Sequence, residues 1–316
     1  MENKPLQPKE LQGVFTALIT PMSAGNGLDN GIDYEKLYML VNDQVKAGID
    51  GLVIAGTTGQ SATLDKEEQV ELIRRVFEYT RENHGEGIKI IAGASSNCTR
   101  EAIYLSRQIE DTIGPTTLLH LTGYYNNPTQ RGLFEHFSAI ARALDGSNII
   151  LYNVPGRTNS NIEATTALKL SCNPKFIGIK EASGKLEQVA AIISGTSPRN
   201  FRVVSGEDHL VAKIMEMGGY GVISASANIA PAYFVKIAKA CLEKNYEEAY
   251  RLQEEVMPLI KEGVFRVKNP IPLAHMFNTE LRLPMTKEPQ IEAELEKVLG
   301  KYTREQLGID VGRYRS

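Results

Sequence analysis

The 316-residue chain is poor in cysteine, and its three cysteines, Cys98, Cys172 and Cys241, lie far apart with no Cys-x-x-Cys pair. That spacing excludes a disulfide framework and a thiolate zinc site. The five histidines, His84, His120, His136, His209 and His275, show no His-x-x-x-His or carboxylate-clustered spacing, so no metal is expected. Charge of one sign is also lacking: 35 Lys+Arg against 38 Asp+Glu leave a net charge of −3, with no basic stripe to hold nucleic acid or an anionic membrane. No apolar run approaches the roughly 20 residues that span a bilayer. The opening Met1-Glu2-Asn3-Lys4-Pro5-Leu6 has no apolar signal core, and a cytoplasmic location is expected.

Eight short, almost continuously apolar runs are present, and such runs mark strands buried on both faces. They are Val14–Ile19, Gly51–Ala55, Lys89–Ala92, Thr117–Leu121, Ile149–Tyr152, Phe176–Lys180, Arg202–Ser205 and Gly221–Ser224. Between them lie stretches of helical periodicity, such as Tyr34, Leu37, Val41, Gln44, Val45 and then Val70, Ile73, Val76, Phe77. Helix starts are signalled by Asp65 with Glu68 three residues on, a capping-box spacing, and by Pro231 ahead of an apolar periodic stretch. Eight strand–helix units predict an α/β fold, a (β/α)8 TIM barrel; the competing pattern is a doubly wound open sheet. Residues 1–244 form the expected catalytic barrel. Residues 245–316, interrupted at Asn269-Pro270-Ile271-Pro272 and Leu283-Pro284, read as a C-terminal helical extension packed on it.

In such a barrel the chemistry gathers at the C-terminal ends of the strands. Lys180 ends the sixth run and shares a face with Gly178, which is read as leaving room for a small ligand. A lysine in water is neutral in only about one molecule in a few thousand at pH 7, so burial would be needed to supply the free amine of a Schiff base. Glu181 should point to the opposite face. Taken singly, Lys180 could equally be a strand-end partner in a salt bridge. Gly56-Thr57-Thr58-Gly59-Gln60-Ser61, after the second run, could hold a small carboxylate on hydroxyls and backbone N–H groups, or be a tight turn; it lacks the ending of a Walker loop. Tyr124-Tyr125-Asn126-Asn127-Pro128 and Tyr152-Asn153-Val154-Pro155-Gly156-Arg157 follow the fourth and fifth runs. Phenols there can relay protons or simply pack, and an arginine can grip a carboxylate with two parallel bonds.

In this order, the four motifs, ending in Gly178-Ile179-Lys180-Glu181-Ala182, resemble those of the dihydrodipicolinate synthase and N-acetylneuraminate lyase family from about Val14 to Met285. Thr57-Thr58 and Arg157 resemble its synthase branch, which condenses pyruvate with L-aspartate 4-semialdehyde to 4-hydroxy-tetrahydrodipicolinate in diaminopimelate and lysine biosynthesis. The resemblance implies an imine on Lys180, proton movement through Tyr152, Thr57 and Tyr125, and pyruvate binding at Thr58, Gly206 and the backbone near Ile223. Arg157 would take the semialdehyde carboxylate, and the resemblance implies that no metal or organic cofactor is needed. The tyrosine matching Tyr125 comes from a neighbouring subunit in this family, which implies a homotetramer built as a dimer of dimers. Other readings are a different pyruvate-dependent lyase, such as a keto-deoxy sugar acid aldolase or N-acetylneuraminate lyase, and a catalytically silent binding barrel. Gln60 and Gly123 depart from the family's usual glutamate and threonine-proline, so a less rigid Tyr125 loop is expected. Ala62, Asn97, Glu101 and Tyr124 match an L-lysine effector site, but Lys66 and Gln69 replace two histidines there. A cationic Lys66 beside a lysine ammonium implies weak or absent inhibition.

Overall fold

The structure, a computed structural model, describes residues 3–315; Met1, Glu2 and Ser316, including the first two residues of the opening stretch read for a signal, lie outside the described residues. The eight apolar runs become β1 (Gly13–Ala17), β2 (Gly51–Ile54), β3 (Lys89–Gly93), β4 (Thr117–Leu121), β5 (Asn148–Asn153), β6 (Phe176–Glu181), β7 (Arg202–Ser205) and β8 (Gly221–Ser224). All neighbours pair in parallel and in chain order, and β1 pairs with β8 at Gly13 and Gly221 as well as with β2. That last ladder closes the barrel and rules out the open sheet.

Around it run α1 (Tyr34–Lys46), α2 (Lys66–His84), α3 (Thr99–Ile113), α4 (Gln130–Ala143), the single turn α5 (Pro155–Thr158), α6 (Ala164–Ser171), α7 (Leu186–Gly195), α8 (Val211–Glu216) and α9 (Pro231–Leu242). The start signals work as their chemistry requires. Asp65 accepts from the Glu68 N–H at 2.7 Å while the Glu68 carboxylate accepts from the Asp65 N–H at 3.1 Å, and Pro231 occupies the first turn of α9.

Strand alternation sorts the core into two layers. Leu52, Ile90, Leu118, Ile149 and Ile179 face the helices. Leu11, Phe15, Ile91, Ile150, Ile177 and Val204 fill the lumen. The β5–β6 register shifts between Ile149 and Ile150, so Ile177 is accommodated as a bulge and both Gly178 and Lys180 turn inward. Gly178 does not make room for a ligand. A methyl there would stand 2.5 Å from the Leu11 side chain, so the space belongs to the plug that fills the floor of the barrel.

His120 shows the cost of a polar group in the outer layer. It is fully buried, and its Nε2 lies 3.2 Å from Ser106 Oγ, which already donates its proton to the Ala102 carbonyl at 2.6 Å. His120 therefore donates from Nε2, and Nδ1 has no partner. Burial, with His136 nearby, pushes its pKa down to about 3. Below pH 6.5 the unfolded chain binds a proton that the folded chain refuses, so stability is lost as pH falls from 6.5 towards 3. The loss from this group is roughly 3 kcal/mol at pH 4. His120→Leu should melt near the wild type at pH 7 and clearly above it at pH 4; equal melting temperatures at pH 4 would sink this account.

Beyond α9 the chain continues through α10 (Tyr246–Pro258), a π-helical turn at Leu259–Val264, α11 (Ile271–Met276), α12 (Glu292–Leu299) and α13 (Arg304–Leu307). Arg282, buried, pairs with Glu68 at 2.6 Å and donates to the Asn30 carbonyl, tying this segment to the start of α2. Among the described residues no helix is long and apolar enough to cross a membrane.

Candidate active site

A cavity of about 270 Å³ opens at the C-terminal ends of the strands. Lys180 lies in its wall, only 6% exposed, with Nζ 4.2 Å from the centre of the Tyr152 ring on the neighbouring strand. The pairing of Tyr152 with Lys180 across the β5–β6 ladder sets that approach. On the other flank, a methyl on Gly206 would stand 3.0 and 3.1 Å from Lys180 Cγ and Cε, so glycine there gives the lysine stem its channel. Glu181 points away, as expected. Its carboxylate is held outside the lumen by Asn153, Ser183 N–H and Gln188, with the Asn153 contacts at 3.0 and 3.2 Å.

Thr57, Thr58, Arg157, Gly206 and Ile223 line the same cavity. Thr58 is buried and accepts from Asn269 Nδ2 at 2.9 Å, which leaves its own hydroxyl proton free for a ligand carboxylate. Arg157, at the exposed end of α5, donates one bond to the Asn269 carbonyl at 2.8 Å and keeps its remaining N–H groups at the cavity mouth. Asn269 thus holds the threonine that faces the interior and the arginine that faces the entrance. It sits in the stretch that the sequence marks only as a helix interruption, and nothing local signals its role. Glu207 and Lys268, likewise unforeseen, also line the cavity. Burial, with Asp208 alongside, lifts the Glu207 carboxyl to about 7, Lys180 opposing and Glu181 adding slightly.

Tyr125 does not line its own chain's cavity. It is 94% exposed, at the tip of a loop where its backbone takes a left-handed φ of 71°. Residues 10–300 match the model of the dihydrodipicolinate synthetase family. The chain belongs to that family.

It is 40% identical over 282 residues to a 4-hydroxy-tetrahydrodipicolinate synthase of Pseudomonas putida, covering 87% of this chain and 92% of the relative. The solved 4-hydroxy-tetrahydrodipicolinate synthase of Methylacidiphilum fumariolicum superposes with a TM-score of 0.86 at 35% identity, over 96% of this chain and 99% of that one. A structure described as the first monomeric dihydrodipicolinate synthase variant gives 0.86 at 32% identity, over 93% and 97%.

Within this synthetase family framework, the departures at Gln60 and Gly123 have physical counterparts. The buried Gln60 donates to the Thr20 carbonyl at 3.3 Å and accepts from the Arg282 N–H at 3.2 Å, a pair of roles open to an amide and closed to a carboxylate. Gly123 lies under its own loop: a methyl there would meet Asn126 Oδ1 at 3.2 Å and Pro128 at 3.3 Å. Of the residues expected to form an effector site, Asn97 and Tyr124 are joined by a 3.3 Å bond, and Glu101 accepts from Ser96 Oγ next to Asn97. Ala62 makes no bond to them, and Gln69 is buried with its amide spent on the Ser61 and Leu64 carbonyls.

Proposed function

We propose that the chain is a pyruvate-dependent lyase, a 4-hydroxy-tetrahydrodipicolinate synthase, that joins pyruvate to L-aspartate 4-semialdehyde through a Schiff base on Lys180. The observation that carries the reading is a buried lysine in a cavity whose other walls hold two threonine hydroxyls, a phenol and an arginine. Lys180 Nζ adds to the keto carbon of pyruvate, and loss of water leaves a protonated imine. That imine draws electrons from the methyl C–H bond, and an enamine forms as the proton leaves. The enamine carbon then attacks the aldehyde, and the new C–N link to Lys180 is released in closing or hydrolysing the product.

The residues divide this work. The free Thr58 hydroxyl proton, with Gly206 and the backbone near Ile223, binds the pyruvate carboxylate. Tyr152, beside Lys180, and Thr57 move protons to and from the reacting carbons. Arg157 at the mouth binds the carboxylate of the semialdehyde, and a sugar acid acceptor would find an arginine where it needs hydroxyl partners. Tyr125, exposed on its own chain, would complete a neighbour's proton relay, so the working form is an oligomer, a dimer of dimers. We assign residues 1–244 to the catalytic barrel and 245–316 to an extension that closes one wall of its mouth. Lysine biosynthesis in the cytoplasm, and little response to L-lysine at Ala62, Asn97, Glu101 and Tyr124, complete the reading.

The test is an assay of purified protein with pyruvate and L-aspartate 4-semialdehyde, followed by borohydride and mass analysis with pyruvate alone. Consumption of the semialdehyde and a pyruvate adduct on Lys180 are expected. Cleavage of a keto-deoxy sugar acid without semialdehyde turnover would reject the acceptor, and a barrel that forms no adduct would be a binding protein.

A further inference from the structure

Lys180 lies between two flanking strands, and each presents a proton-bearing group at its end: Tyr152 on β5, and Glu207 just beyond β7. The second has no part in the mechanism above. Its main chain is pinned, because the buried Ser205 Oγ donates to the Glu207 carbonyl at 2.8 Å and accepts the Glu207 N–H at 3.1 Å. The preceding residue is the glycine that runs against the lysine stem, and Lys180 and Glu207 line the same cavity. From there it leads outward. Glu207 Oε2 lies 3.5 Å from His209 Nδ1, and the His209 side chain is 41% exposed.

We infer that Glu207 is the base that strips the proton from the Lys180 ammonium before pyruvate is attacked, and that His209 carries this proton on to solvent. The inference rests on the lyase reading and deepens it. The balance is simple: the N–H bond of the ammonium breaks, its electron pair stays on Nζ for attack on the keto carbon, and the proton crosses the cavity that both side chains line, through solvent, to a Glu207 oxygen. The carboxyl then passes a proton to the neutral imidazole of His209, and the imidazolium loses it to water.

The surroundings suit a base that works near neutrality. Burial first, and Asp208 second, lift Glu207 to about 7, so it is part carboxylate at that pH. Asp208 stays behind it, fully buried, with its own pKa raised by burial and one oxygen accepting from the Ser226 N–H at 2.7 Å. Glu181 acts weakly from the far face of β6, while Lys268 lines the cavity from the C-terminal segment. Burial lowers the pKa of His209, with Asp208 opposing and Lys261 reinforcing, which keeps the ring neutral and ready to accept.

The experiment measures the rate of borohydride-trapped pyruvate adduct on Lys180 against pH, in full-length protein of matched melting temperature. Glu207→Gln should slow adduct formation about 10²-fold at pH 7, and the gap should narrow as pH rises and hydroxide takes over the proton. Glu207→Asp should fall between the two. His209→Ala should be slow in dilute buffer and recover on adding imidazole. If Glu207→Gln traps pyruvate as fast as wild type, or faster because a counter-ion to the ammonium has been removed, the base assignment is overturned. If His209→Ala does not respond to imidazole, the exit path is overturned. Failure of the wild type itself to form the adduct would instead reject the lyase reading.

Discussion

Lys180→Ala should lower kcat by at least about 10⁴-fold and abolish the borohydride-trapped pyruvate adduct, while the melting temperature stays close to that of the wild type. The scale follows from the step that is lost. Without the imine there is no electron sink for the methyl carbanion, and the hydroxyls around the cavity can bind pyruvate but cannot activate it. The fold should tolerate the change, because the side chain borders an existing cavity and its removal fills nothing and unpacks little. Mass analysis of trapped protein, with kinetics on the same preparation, decides the matter. A pyruvate adduct that persists on another lysine would remove Lys180 from the chemistry.

The second large effect separates the two substrates. Arg157→Gln should leave the rate of pyruvate trapping within a few-fold of wild type yet lower kcat/KM for the semialdehyde about 10²-fold, the loss that accompanies removal of one partner of a charge-assisted pair. Arg157→Lys should recover only part of it, since an ammonium supplies charge without the planar fork. The contrast sharpens with an aldehyde acceptor that bears no carboxylate, for which wild type and variant should differ little. An equal loss for both acceptors would show that Arg157 serves only to brace Asn269, to whose carbonyl it donates.

The strands and the barrel were legible because buried parallel strands need apolar residues on both faces, and because the turns that follow them carry their polar groups within a few residues. Thr57, Thr58, Tyr152, Arg157 and Lys180 stand out by position, each at the end of an apolar run or a few residues past it, and all five line one cavity. What could not be read was whatever depends on distant chain. Asn269 lies 211 residues from the Thr58 hydroxyl it bonds, and no local pattern announces the contact. Leu11 looks like any apolar residue until the β6 bulge shows it packed against Gly178, so in sequence alone the glycine reads as room for substrate. Glu207 is inconspicuous in sequence for a different reason. A carboxylate two residues beyond a strand is ordinary, and only its burial beside Asp208 and its approach to His209 set it apart.

The Leu11 plug has a kinetic meaning. With Leu11, Phe15, Ile150 and Ile177 packed beneath Lys180, the lumen is a blind shaft, and everything that enters must leave by the way it came. On the proposed reading pyruvate would go to the bottom and the semialdehyde, held by Arg157 at the rim, would stand above it. An acceptor that arrived first would stopper the shaft, so traffic should be ordered: pyruvate loads, its water escapes, and only then can the second molecule settle without locking the first one out.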